Sequence, residues 1–140
     1  MTIQILTSPP HPAEYCHLRK ICGLSEKSIH AAEIGLQNSC FAVALYDDDR
    51  LIAMGRVIGD GATAFQVIDI AVHPDYQKQG FGKTVMSKIM DYIHEVQVPG
   101  TYVSLIADYP AEYLYQQFGF VMTAPQSHGM YLSFPYTSDS

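Results

Sequence analysis

Apolar positions along the 140-residue chain fall into short blocks whose spacing alternates between that of strands and that of helices. Residues Ile3–Leu6 form a first strand block, closed by Ser8-Pro9-Pro10. Pro12 suits a helix start, and residues 13–21 carry Tyr15, Leu18 and Ile21 on one side before Gly23. Ser25, with Glu26 and Ser28 nearby, predicts the start of a second helix running to Leu36. Residues 41–46 and 51–58 read as a hairpin turning through Asp47-Asp48-Asp49-Arg50, and Gly59-Asp60-Gly61 leads into a third strand at 65–72. A helix over 82–96 carries Val85, Ile89, Ile93 and Val96 on one face and stops at Pro99-Gly100. A strand at 102–107 then implies a right-handed parallel crossover. A short helix over 111–118 ends at Gly119, and residues 120–123 and 130–134 are expected to close as a final hairpin. The tail 136–140 is polar and expected to fray. The predicted order, β-α-α-β-β-β-α-β-α-β-β, is a single α/β (α+β) domain over 1–140 without repeats or linkers.

Composition narrows the function. With 48% hydrophobic and 16% charged residues the chain can bury a core. A net charge of −6 and a pI near 5.3 disfavour nucleic acid and are compatible with an amine substrate. Cys16, Cys22 and Cys40 are odd in number and lack metal-ligand spacing, which predicts free thiols in a reducing cytoplasm. The Asp47–Asp49 run is expected to be a solvated turn and not a metal site. No apolar run has the length of a membrane span, and the N-terminus lacks the layout of a signal peptide.

The densest chemistry lies in FQVIDIAVHPDYQKQGFGKT, residues 65–84: a strand, a turn at His73-Pro74-Asp75, and then Gly80 and Gly82 opening a helix. Unpartnered first-turn amides and the helix dipole suit an anion there. A Walker A loop would need glycine where Gln77 stands, and a dinucleotide fingerprint would need it where Val85 stands. The spelling Gln77-x-x-Gly80-x-Gly82 after a strand instead resembles the coenzyme A pyrophosphate loop of the GNAT superfamily of acyl-CoA-dependent N-acetyltransferases. A second segment, AEYLYQQFGF at 111–120, resembles that family's A-x-x-[LF]-Y-x-x-x-G-F pattern.

The resemblance implies a GNAT fold: a mixed, mostly antiparallel sheet with a splayed parallel strand pair, flanked by helices. It implies acetyl-CoA as donor, with coenzyme A as product. The backbone of Ile70 and Val72 would pair with the pantetheine arm, and an N–H near Ile70 or Ala71 would polarise the thioester. Gln77, Lys78, Gln79, Gly80, Phe81, Gly82, Lys83 and Thr84 would hold the pyrophosphate, although Lys78 and Lys83 also read as ordinary surface lysines. Ala111 and Tyr115 would lie beside the cofactor, with Tyr115 as the general acid. Asp108 stands where the family often has a pantetheine-binding Asn, so it contacts the arm, caps the following helix or holds a cationic amine. Asp69, in a stretch resembling glucosamine-phosphate acetyltransferases, is a candidate base or a structural hydrogen-bonding group. It is expected to share a strand face with Ala71 and His73, opposite Ile68, Ile70 and Val72. Gln66 replaces a catalytic Glu of some members, and His73 reads as a turn residue. The expected reaction is direct acetyl transfer in a ternary complex to a primary amine of a small molecule. A non-catalytic acyl-CoA-binding module and an acetyltransferase acting on a protein amine remain the alternatives. Homodimerisation is common in the family.

Overall fold

The computed structural model describes residues 1–108 and 110–137. A central sheet takes the order β1 (Ile3–Leu6), β2 (Phe41–Asp47), β3 (Arg50–Gly59), β4 (Ala64–Val72) and β5 (Tyr102–Ser104). The first four strands pair antiparallel, and β4 and β5 pair parallel. β3 is the central strand, and seven consecutive residues of it are buried on both faces.

Helices cover both sides. On one, α1 (Pro12–Ile21) and α2 (Ile29–Gln37) bury Tyr15, Leu18, Ala32 and Leu36 against Ala44, Leu51, Met54 and Ala71. On the other, α3 (Phe81–Val96) sets Val85, Met86, Ile89 and Ile93 against Val43, Ile52, Val57, Phe65 and Val67. This contact is close: a Cβ at Gly55 of β3 would sit 2.6 Å from Val85 Cγ1 and 2.7 Å from Ile70 Cδ1. α4 (Glu112–Gln116) completes that side with Tyr115.

Three expectations change. α2 begins at Ile29, because Ser28 and not Ser25 caps it: the Ser28 Oγ accepts the Ala31 N–H at 3.0 Å. β5 stops at Ser104 and not at Ala107, since β4 offers it a partner only as far as Gln66. The closing hairpin does not form among the described residues. Residues 120–123 and 130–134 belong to no strand, and apart from half-buried Phe120 their large apolar side chains are exposed. Residues 138–140 of the expected frayed tail lie outside the described residues.

Candidate active site

The register between β3 and β4 slips once. Met54 faces Ala71 and Arg56 faces Ile68, so Asp69 and Ile70 together stand opposite Gly55. Asp69 takes φ 60°, a left-handed value that Asp tolerates better than most residues. Such a β-bulge bends a strand and re-aims the side chains beyond it. It also corrects the expected faces: Phe65 and Val67 pack on the α3 side, as do Ile70 and Val72, while Ile68 is absent from that cluster.

The Asp69 carboxylate is held by three donors. Arg19 pairs with Oδ1, Arg56 Nε donates to Oδ2 at 2.8 Å, and the Tyr15 hydroxyl donates to Oδ2 at 2.7 Å. The guanidiniums are themselves anchored. Arg19 donates to the Ser25 carbonyl and hydroxyl, and Arg56 to the Gly35 carbonyl and Ser39 hydroxyl, all within 3.0 Å. All three charged side chains are nearly buried, so the pairs are little screened. Burial, and next the Asp69 charge, push the Tyr15 phenol up to about 12. Sequence reasoning passed over Arg19 and Arg56. The available signal was Arg56 itself, a cation within the apolar run LIAMGRVIG, which demands a carboxylate nearby.

β4 pairs with β5 only over residues 64–66 against 102–104. From Val67 to Val72 its β5-facing edge is unpaired with β5 among the described residues, the splayed gap that the resemblance implied. At the far end of this gap the Val72 carbonyl accepts from Gln77 Nε2 at 3.2 Å and Cys22 Sγ at 3.3 Å. His73 shapes the turn beyond, its Nδ1 accepting the Asp75 N–H at 3.0 Å.

Gly80 precedes α3 with φ 88°, which a side chain would strain. The Thr84 N–H bonds back to the Gly80 carbonyl at 3.0 Å. The amides of Phe81, Gly82 and Lys83 before it form the helix's first turn, where intrahelical acceptors are lacking. Exposed Lys78 and Lys83, in no ion pair among the described residues, flank this turn. Clustered N–H donors beside two ammonium groups are the donor set that a diphosphate requires.

Both motif segments meet at Gly82. A Cβ there would lie 3.5 Å from Leu114 Cδ2 and 3.8 Å from Val72 Cγ2, so α4 rests over the start of α3 and the end of β4. Tyr115, one residue on, is buried and packs edge-on to Phe120. It lines a cleft of about 670 Å³ with Gln66, Ser104 and Met130. Burial, and secondarily the Asp108 charge, raise its phenol above the ordinary value, so the proton stays on at neutral pH. Asp108 is exposed and does not cap α4. Its backbone carbonyl accepts the Ala111 N–H at 2.7 Å, and Ala111 occupies the cap position without a side-chain bond.

Residues 37–122 match the family model for an acetyltransferase (GNAT) domain. A crystal structure from methicillin-resistant Staphylococcus aureus, described as a protein of unknown function and probable acetyltransferase, is 53% identical with a TM-score of 0.92 over 95% of this chain and 100% of that one. A GNAT-family acetyltransferase from Streptococcus pneumoniae is 21% identical with a TM-score of 0.77, covering 97% of this chain and 100% of that one. The uncharacterized N-acetyltransferase ycf52-like of Prochlorococcus marinus is 31% identical over 71% of this chain and 57% of its own length. The chain spans 68%, 65% and 68% of the three ycf52 proteins that it also matches. With the family match covering more than half of the sequence and the splayed sheet in place, the chain belongs to the GNAT acetyltransferase family, whose activity is acyl transfer.

Proposed function

We propose that this chain moves the acetyl group of acetyl-CoA to a primary amine of a small molecule, directly and within a ternary complex. The observation that carries the reading is the convergence at Gly82 of the α3 amide turn, the open edge of β4 and the helix bearing Tyr115. In this reading the amides and lysines of 77–84, with Gln77, Gln79 and Thr84, bind the pyrophosphate. The open edge at Ile70–Val72 aligns the pantetheine arm past Ala111, and the N–H at Ile70 or Ala71 faces the charge that develops on the thioester oxygen. Asp108 acts through its charge, which helps keep Tyr115 protonated.

The amine nitrogen forms a bond to the acetyl carbon as the carbon–sulfur bond breaks. The sulfur takes the electron pair, and the Tyr115 O–H supplies its proton. The amine's proton passes to water. Asp69, its oxygens shared among two guanidiniums and a phenol, is assigned to holding the β4 bulge in shape and not to accepting that proton. No helix among the described residues is long and apolar enough to cross a membrane. The three free cysteines support a reducing compartment such as the cytoplasm.

The test is acetyl-CoA turnover against a panel of amino acids, aromatic amines, polyamines and amino sugars, read by thiol release. Tyr115→Phe should lower kcat by roughly 10²–10⁴-fold, the usual contribution of a positioned acid. Because the phenol is raised, its alkaline limb in kcat/KM should lie above the ordinary tyrosine value of about 10. An unchanged rate in the variant excludes Tyr115 as the acid, and a wild type without turnover that is still stabilised thermally by acetyl-CoA is a binding module.

A further inference from the structure

Gln66 and Ser104, the last residues of β4 and β5 to pair, both line the cleft of about 670 Å³ that holds Tyr115. Its volume lies within the roughly 300–1,000 Å³ usual for small-molecule sites. Of the residues given to the cofactor, Tyr115 alone lines it. On the proposed function the cofactor therefore leaves this space free. Much of the remaining wall is apolar: Leu105, Ile106, Phe120, Val121, Met122 and Met130. Val121 and Met130 are 85% and 88% exposed, so a ligand that covers them is favoured. Half-buried Glu112 is the cleft's single carboxylate and His128 its single imidazole, and no Lys or Arg lines it. In the whole chain no Lys or Arg follows Lys88. The two parts of the site thus differ in charge, with Lys78 and Lys83 at the α3 turn and Glu112 in the cleft. Glu112 and Tyr115 are three residues apart in α4, which places them on one helix face.

We infer that this cleft is the acceptor pocket and that it takes a primary monoamine with an apolar or aromatic body and no anionic group. The assignment deepens the proposed acetyl transfer and rests on it for the use made of the amine. Charge and surface select the class. The incoming ammonium is drawn to Glu112, on the helix face that also carries Tyr115. The apolar wall covers the rest of the molecule. A carboxylate or phosphate would give up its water and meet no Lys or Arg. A second ammonium, as in a polyamine, would find no second carboxylate in the wall. An amino sugar would set hydroxyls against Leu105, Phe120 and Met122, where they lose hydrogen bonds to water. Glu112 acts on binding and specificity. The amine's proton leaves to water as in the transfer step, and the freed electron pair forms the bond to the acetyl carbon.

Calorimetric titration of the full chain, with and without coenzyme A, tests this. The probes are 2-phenylethylamine and phenylalanine, which differ only by a carboxylate, with spermidine and glucosamine 6-phosphate beside them. 2-Phenylethylamine should bind roughly 10²-fold more tightly than phenylalanine, the order expected when a charged group is buried without a partner. Glu112→Gln should weaken 2-phenylethylamine about tenfold, in affinity and in KM, and leave the KM for acetyl-CoA as it is. A role confined to the first turn of α4 would move the melting temperature and not that affinity. Met130→Arg, at an exposed position the fold does not depend on, should bring phenylalanine within about tenfold of the amine by giving its carboxylate a partner. Absent binding of 2-phenylethylamine, or binding of any of the other three that equals it, overturns the inference whether or not acetyl-CoA is turned over. So does a Glu112→Gln variant with wild-type affinity. Selective binding without turnover of any amine keeps the cleft's preference and removes the acetyl-transfer reading instead.

Discussion

Asp69 shows how a single residue couples a strained backbone to a charge cluster. Its left-handed φ costs of order 1–3 kcal/mol and persists because the side chain is tied to α1 through Arg19 and Tyr15 and to β3 through Arg56. Replacing the carboxylate leaves two buried guanidiniums facing each other. Asp69→Asn should therefore destabilise the fold by about 3–5 kcal/mol in urea denaturation, the usual cost of breaking a buried pair. Tyr15→Phe removes one charge-assisted bond and should cost about 1.5–3 kcal/mol. If Asp69→Asn kept wild-type stability and lost only turnover, the carboxylate would belong to the chemistry and not to the scaffold.

Among the elements, α3 carries a scaffold duty and, in the proposed function, a chemical one. Its apolar face was legible because Val85, Ile89 and Ile93 repeat at helical spacing, and all three are buried. Its first turn was legible because Gly80 and Gly82 come directly after a strand, and Gly80 does adopt the left-handed conformation. What spacing did not show is how tightly α3 sits on β3. That depends on Gly55, whose missing side chain leaves room for Val85, Ile70 and Ile89. Gly55→Ala should overpack this contact and cost about 1–3 kcal/mol. At roughly 2–8 °C per kcal/mol, a thermal melt will register the loss. A variant with an unchanged melting temperature would mean that the helix shifts freely over the sheet.

Across the whole molecule, the sequence conveyed the sheet, the helices and the two motif segments, each written in local patterns. It did not convey what depends on distant partners. Arg19 and Arg56 reach Asp69 from 50 and 13 residues away, and no periodicity announces such a meeting. The Ser28 cap displaced Ser25 because Ser25 is taken up by Arg19. The closing hairpin was expected from the Pro- and Gly-containing loop between 120–123 and 130–134, but among the described residues neither stretch joins a strand. The cluster around Asp69, the gap beside β4 and the amide turn of α3 all surround the same strand, so their spacing is set by its shape.

That strand carries one residue more than regular packing needs. Without Ile68, Phe65, Val67, Ile70 and Val72 would alternate in one phase on the α3 side, and Asp69 would stand directly across from Arg56. A chain lacking Ile68 should therefore fold at least as stably as wild type, as a thermal melt would read. Its straightened strand would close the opening next to β5, and acetyl-CoA would no longer raise its melting temperature. On the proposed function the surplus residue is in this sense a spacer that makes room for the ligand, and a deletion that strengthens the scaffold is the one that should silence the enzyme.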